Sequence, residues 1–405
     1  MLVLGALLVL GALSSGLAGR SFLSLTAAFV LVGFLLGHGA LDVLHFDPRS
    51  ELVADLAKVA LILILFRDGL EVEAEMLQRA WHLPLRKLAV AMPVTAGLVA
   101  LFAHLVIGLE WTEAFLLGAL LSPTDPVLSS SVVTNPRVPR IVRHSLNLES
   151  GLNDGLALPA VLALIAALSP HSGRFDWLSF VLRDVGFGLT AGIAFGLLAS
   201  WILPRAKLMR ESMPAHARGL YGIGVAFACY GATVYGPRGN GLIAVFVCAI
   251  TLGVRRPEMR NYFEAQAGTV VELAKLAIFI VFGSLLTLGG LFADGWAAVG
   301  LAAFVLVVAR AAALAVALWR TGVDPPTRAF MAWFGPKGVA TMTFSLLVLA
   351  SGVRAGSRIF DLAALVVFVS IIAHGLTDTA GSNWLAARAA RERESPGLDR
   401  GLDPV

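Results

Sequence analysis

The sequence predicts an all-α polytopic membrane protein of about thirteen transmembrane helices in two halves, each interrupted by one broken helix. Three observations carry that expectation. Hydrophobic residues make up 58% of the 405-residue chain and charged residues only 14%, with a mean hydropathy of +0.82, whereas a water-soluble globule carries about 25% charged residues. The apolar residues fall in runs long enough to span a hydrocarbon core of about 30 Å. Two of those runs contain helix breakers beside ionisable side chains: Ser122-Pro123-Thr124-Asp125-Pro126 and Gly335-Pro336-Lys337-Gly338.

In chain order the expected spans are Leu2 to Gly19, Ser21 to Leu41, Leu52 to Leu70, Leu88 to Leu109, Glu113 to Val133, Leu148 to Ser169, Leu178 to Pro204, Gly219 to Tyr235, Gly241 to Val254, Thr269 to Leu288, Trp296 to Trp319, Arg328 to Ser351 and Ile359 to Gly381. The first lacks a charged n-region, which argues against a cleaved leader. With the seventh span as a linker, spans one to six and eight to thirteen form two halves, and the broken helix is the fifth element of each. Residues 1–384 read as one transmembrane domain and residues 385–405 as a short polar tail. Basic residues concentrate in alternate connections, such as Arg79, Arg86 and Lys87, then Arg137, Arg140 and Arg143, and again in the tail. Loops enriched in Lys and Arg stay inside. That asymmetry puts the C-terminus in the cytoplasm and the N-terminus outside a cell membrane.

The net charge of +4 is spread over these short loops, with no basic tract or aromatic platform for nucleic acid. Cys229 and Cys248 lie in apolar runs without metal spacing and read as packing residues. Gly188, Gly192 and Gly196 form a small-residue stripe suited to close helix packing, between domains or between copies of the chain. The histidines lie mostly near loops, which favours surface roles.

The chemistry concentrates between Leu120 and Leu162, where Asp125, Glu149 and Asp154 sit inside apolar segments. Acids at membrane depth cost about 2.5–3.5 kcal/mol each on insertion scales and are tolerated mainly along ion or proton pathways. Prolines in the broken segment free backbone carbonyls at depth. On the next helix, Glu149 and Asn153, and likewise Ser150 and Asp154, are i, i+4 neighbours. Asp154, with Ser150 one turn below and the broken-helix oxygens nearby, suits a monovalent cation, since hard cations prefer oxygen ligands. Burial favours a neutral carboxyl group and a bound cation favours a carboxylate, so proton and cation compete for one side chain. Glu149 needs a cationic partner of its own. Among the basic residues inside apolar runs, Lys275 has Glu272 three residues earlier and Arg67 adjoins Asp68, which leaves Arg310 for Glu149 and Asn153 by elimination.

ALLSPTDPVLSSSV followed by NLESGLNDGLALPAV, and later ARAAALAV followed by PPTRAFMAWFGPKGVATMTFSLL, resemble the NhaP/NHE branch of the monovalent cation/proton antiporters over nearly the whole chain. The resemblance implies the NhaA/NhaP-like fold of two inverted repeats with two crossing broken helices. It implies a mobile core domain, here including roughly residues 88–169 and 269–351, with the remaining helices forming a dimerisation scaffold, and elevator-type alternating access. It further implies that Asp154 binds the cation or proton, that Asp125 and Thr124 line the site, and that Asn153, Glu149 and Arg310 stabilise it. Lys337 stands where the family usually has Arg, keeping the charge but losing the bidentate fork. Asp68 is displaced by one place from the family's usual acid, so its role stays open between the ion pathway and an interfacial pair with Arg67. Asn153, where electrogenic relatives have a second acid, implies electroneutral exchange.

The expected activity is therefore secondary antiport of Na+ (or Li+) for H+, with Na+ held by Asp154, Asp125, Ser150 and Thr124, and with no cofactor beyond the transported ions. The expected partners are the lipid bilayer and a second copy of the chain. A K+/H+ exchanger is the alternative within the class, and a cation channel the alternative outside it. An intramembrane enzyme is disfavoured because Ser150 has no base on its helix, and no Walker loop points to primary transport.

Overall fold

The computed structural model describes residues 5, 25–72, 82–125, 138–169, 175–203, 213–236 and 239–394. The first expected span apart from Gly5, the loop arginines 79 and 137, Pro126 and residues 395–405 lie outside them. All regular structure among the described residues is helical. The helices are α1 (Leu25–Leu36), α2 (Glu51–Leu70), α3 (Leu83–Ile107), α4 (Trp111–Leu121), α5 (Arg140–Leu168), α6 (Trp177–Ile202), α7 (Ala215–Tyr235), α8 (Gly241–Arg255), α9 (Glu258–Ser284), the single turn α10 (Leu288–Leu291), α11 (Trp296–Ala317), α12 (Pro325–Trp333), α13 (Val339–Ala350) and α14 (Gly356–Glu394). Expected spans two to thirteen each coincide with a helix or, at the two breaks, with a helix that stops at the break. Among the described residues, six helices are long and apolar enough to cross a membrane by length and composition.

Local chemistry sets the ends. Ser50 caps α2 through the Val53 amide, Asn240 caps α8 through the Leu242 and Ile243 amides, and Asp324 caps α12 through the Thr327 amide, each satisfying donors that a first turn leaves open. Glu110 and Glu113 form a reciprocal capping box at α4. At the end of α3, Gly108 takes φ +78°, a left-handed stop that a side chain would strain.

Burial explains the layering. Residues Ala60 to Phe66 of α2 are all buried, as expected of a helix that is apolar on every side and therefore central. It packs against α8, α9 and α13, while α9 packs along α1, α2 and α7. On the other side α3 lies against α4 and α11, α4 against α5, and α13 against α14. The glycine stripe of α6 is used within the chain: a Cβ on Gly192 would sit 2.6 Å from the Ala244 carbonyl oxygen, and one on Gly196 2.7 Å from that of Cys248. Small residues thus bring α6 onto α8, instead of facing another copy of the chain.

Three boundaries differ from expectation for the same reason, the first being the start of α5 at Arg140, eight residues before Leu148. The helix α9 begins eleven residues before Thr269, and α14 continues through residues 385–394, where a polar tail is expected. At α14, Leu385 and Ala386 are buried, Leu385 joins a cluster with Phe330 and Phe334, and Arg388 pairs with Asp324 at 3.1 Å. Charged residues on a helix that extends past the apolar core conceal its apolar stripe from a hydropathy reading.

Candidate functional site

The two interruptions meet. The helix α4 stops at Ser122-Pro123, and the chain between α12 and α13 is non-helical from Phe334 to Gly338. They cross through a backbone hydrogen bond from the Asp125 amide to the Pro336 carbonyl, 2.8 Å. Among the described residues, each half-helix end that faces the crossing finds a partner from another element. The Asp125 carboxylate accepts from the Val339 amide at the start of α13, 3.1 Å. Lys337 donates from its ammonium to the carbonyls of Ser122 and Pro123 at the end of α4, 3.3 and 3.1 Å, while Thr341 donates its hydroxyl to Leu120. At the end of α12, Met331 accepts from Arg310 and Trp333 is bonded to His374 Nε2. The crossing thus sets an acid on a positive helix start and a base on a negative helix end, where each is favoured. Close approach requires the glycines here: a Cβ on Gly338 would overlap the Asp125 carboxylate, and one on Gly335 the Arg310 guanidinium.

The helix α5 passes beside this crossing. Asn153 donates to the Thr124 carbonyl and hydroxyl oxygens at 2.8 and 3.1 Å, and the Thr124 hydroxyl lies 3.4 Å from Glu149 Oε1, to which it donates. Asp154 is 7% exposed, and its Oδ1 has no hydrogen-bond partner among the described residues. A carboxylate oxygen buried in that way retains the capacity to accept a proton or a cation. The charged groups in its electrostatic neighbourhood are Asp68, Asp125 and Arg67. Asp68 is buried at the end of α2 and accepts from Arg67 at 3.1 and 3.2 Å. The pair with Arg67 therefore exists, and the same carboxylate lies within electrostatic reach of Asp125 and Asp154. The Ser150 side chain lies outside the described residues.

Glu149 is held by two cations from two helices. Arg310 of α11 reaches Oε1 at 3.0 Å and Oε2 at 3.4 Å, while Lys87 of α3 pairs with Oε2 and donates to the Ser145 hydroxyl at 3.2 Å. The Arg310 pair is the one expected by elimination. Asn153, expected beside it, bonds to Thr124 instead, so Arg310 reaches the crossing through Glu149 and Met331. Lys337 likewise stands apart from Glu149 and serves α4. Lys275 pairs with Glu272 on its own helix.

Sequence reasoning misses two residues. It counts Lys87 with Arg79 and Arg86 among the loop charges, yet Lys87 is 1% exposed; the apolar run that starts immediately after it is the only signal. It also assigns the histidines to the surface, yet His374 is buried on α14. Its Nδ1 is bonded to the Ser370 carbonyl and its Nε2 to the Trp333 carbonyl, both at 2.7 Å, while the Ser370 hydroxyl accepts from the Lys337 amide at 2.8 Å. Both residues belong to the support around the crossing. A cavity of about 10 Å³, room for about one water, lies among Lys87, Thr95, Ser122, Glu149, Asn153 and Arg310.

Residues 5–380 match the family described as sodium/hydrogen exchanger, transmembrane. Over 410 residues the chain is 24% identical to the K(+)/H(+) antiporter NhaP of Alkalimonas amylolytica, covering 100% of this chain and 70% of the relative. It is 26% identical over 404 residues to the K(+)/H(+) antiporter NhaP2 of Shewanella sp. (strain MR-4), covering 97% and 67%. Among solved structures, the sodium proton antiporter MjNhaP1 from Methanocaldococcus jannaschii at pH 8 superposes with a TM-score of 0.80 at 19% identity, over 92% of this chain and 98% of that one.

Proposed function

The chain belongs to the sodium/hydrogen exchanger family, and from that premise we propose that it exchanges one Na+ (or Li+) for one H+, electroneutrally, with both ions competing for Asp154. The observation that carries the proposal is the crossing of the two breaks beside a buried carboxylate whose Oδ1 lacks a partner among the described residues. A dehydrated cation needs several oxygen ligands. Asp154, Asp125, the Thr124 hydroxyl and Ser150 supply them in this reading. Proton binding at Asp154 removes the main anionic ligand and releases the cation, and cation binding displaces the proton. Because the same carboxylate takes either ion, each crossing carries the same net charge.

Access then alternates by an elevator-type movement of the crossing and its neighbours α3–α5 and α11–α13 against a scaffold of the remaining helices, which also mediates a homodimer. The packing of α9 along α1, α2 and α7 argues for counting it with that scaffold, although a core beginning at Thr269 would include part of it. The chain sits in the cell membrane with its C-terminus inside and its N-terminus outside, and it contributes to pH homeostasis.

A second reading, K+/H+ exchange, is favoured by the names of the curated relatives quoted above. Cation size is decided by carbonyl and hydroxyl placement within tenths of an ångström. The test is proton flux in proteoliposomes with a lumenal pH dye, adding sodium, lithium, potassium or choline in turn, with the membrane potential clamped and unclamped. Voltage-independent dequenching by sodium and lithium supports the first reading, and a response to potassium alone replaces it with the second. Asp154→Asn abolishes exchange while the protein still elutes as a folded species; robust exchange by that variant sinks the mechanism.

A further inference from the structure

Two cations on one carboxylate are more than stability requires. Wild-type Lys87, Glu149 and Arg310 sum to one positive charge in a buried place, and uncompensated buried charge is costly. Arg310 alone presents a fork that can take both oxygens of a carboxylate. Its second contact is stretched instead, 3.4 Å to Oε2 against 3.0 Å to Oε1, because Oε2 is held by Lys87. Lys87 is itself anchored by Ser145, whose hydroxyl and carbonyl accept at 3.2 and 3.5 Å. The carboxylate is thereby held between α3 and α11 with Oε1 turned toward Thr124.

The consequence lies in the Thr124 hydroxyl, which has one proton and two lone pairs. Asn153 Nδ2 can only donate, so its 3.1 Å bond occupies one lone pair. A carboxylate flanked by two cations can only accept, so the hydroxyl proton goes to Glu149 Oε1. Among the described residues one lone pair is left, and the hydroxyl proton is turned away from the space it faces.

We propose that Lys87 is a positioning residue for cation binding: by holding Oε2 of Glu149 it keeps Oε1 on Thr124, and so fixes the polarity of the Thr124 hydroxyl that faces the cation. This inference rests on the reading of Thr124 as a cation ligand. Without Lys87 the carboxylate swings into a symmetric fork with Arg310, and the Thr124 proton loses its acceptor and turns freely, at times toward the cation. Cation affinity falls while the transport step itself is spared.

The test is the apparent KM and kcat for sodium, with potassium in parallel, of the full-length protein in proteoliposomes. For Lys87→Met the expected result is a KM raised about tenfold with kcat within about twofold. Thr124→Val also raises KM, and the double variant Lys87→Met/Thr124→Val is no worse than Thr124→Val alone, since the lysine acts through that hydroxyl. An unchanged KM in Lys87→Met, or a KM rise that persists undiminished in the Thr124→Val background, overturns the inference and leaves the antiport reading intact. An unchanged KM in Thr124→Val removes Thr124 from the cation site, and the inference falls with that reading. Should Lys87→Met not reach the membrane, Ser145→Ala loosens the same lysine without deleting its charge. It raises KM about twofold to threefold only while Thr124 is present, and a wild-type KM there overturns the inference equally.

Discussion

Replacing Glu149 by Gln removes the single anion between Lys87 and Arg310, and the charge count makes its effect the largest of any change in this network. Wild type carries two positive charges and one negative. In Glu149→Gln both positive charges stay buried, 1% and 6% exposed as residues, facing an amide that offers one carbonyl oxygen. Breaking a buried pair by deleting one partner costs about 3–5 kcal/mol, and with two cations stranded that range is a floor. Arg310→Ala or Lys87→Met, by contrast, leaves one cation on one carboxylate. Each forfeits hydrogen bonds, but the groups left behind stay paired with a residual ion of opposite charge, so no charge is stranded. The double variant Glu149→Gln/Lys87→Met strands one cation and falls between. Melting of the detergent-solubilised protein, followed by size-exclusion chromatography after graded heating, gives the order. Glu149→Gln lies lowest, the double variant above it, and the single cation variants nearest wild type. A double variant that melts below Glu149→Gln, or a Glu149→Gln that melts with wild type, refutes the charge accounting.

Arg310→Ala lowers the melting temperature more than Lys337→Ala, because Arg310 bonds both oxygens of Glu149 and the Met331 carbonyl whereas Lys337 bonds two carbonyls; the same heating series checks it, and equal melting overturns it. The margin is moderated because Glu149 keeps Lys87. For Gly338→Ala we expect at least a tenfold loss of exchange, since the new methyl group occupies the position of the Asp125 carboxylate and breaks its bond to the Val339 amide; wild-type flux in proteoliposomes contradicts this. At the α6–α8 contact, Gly192→Leu costs at least about 1–3 kcal/mol by overpacking. Gly224→Ala, where a Cβ meets nothing within 4 Å, melts with wild type. If the two variants melt alike, the stripe does not hold α6 to α8.

The membrane class, the helical spans and the two breaks are legible in the sequence because they are properties of one stretch at a time. Hydropathy over about twenty residues identifies a span, and Pro or Gly beside an acid at depth marks a break whatever lies around it. The pair of Glu149 with Arg310 is legible too, since an arginine without an acid on its own helix must find one elsewhere. Lys87 and His374 are not legible: each stands at a place where a loop or surface role is the ordinary reading, and burial is decided by which helices come to lie over it. The same holds for Asn153, whose Oδ1 could accept from Arg310 and whose Nδ2 donates to Thr124, and for the α6 glycines, which suit any close neighbour and here take α8. The sequence by itself determined which residues carry charge at depth and where the backbone must break, because solvation acts on each segment alone. Beyond the Glu149–Arg310 pair, only the tertiary structure decided which partners meet at the crossing, Lys87 on Glu149 and Asn153 on Thr124 among them. Segments far apart in sequence meet there through packing and the pairing of half-helix ends, and a linear pattern does not encode that choice.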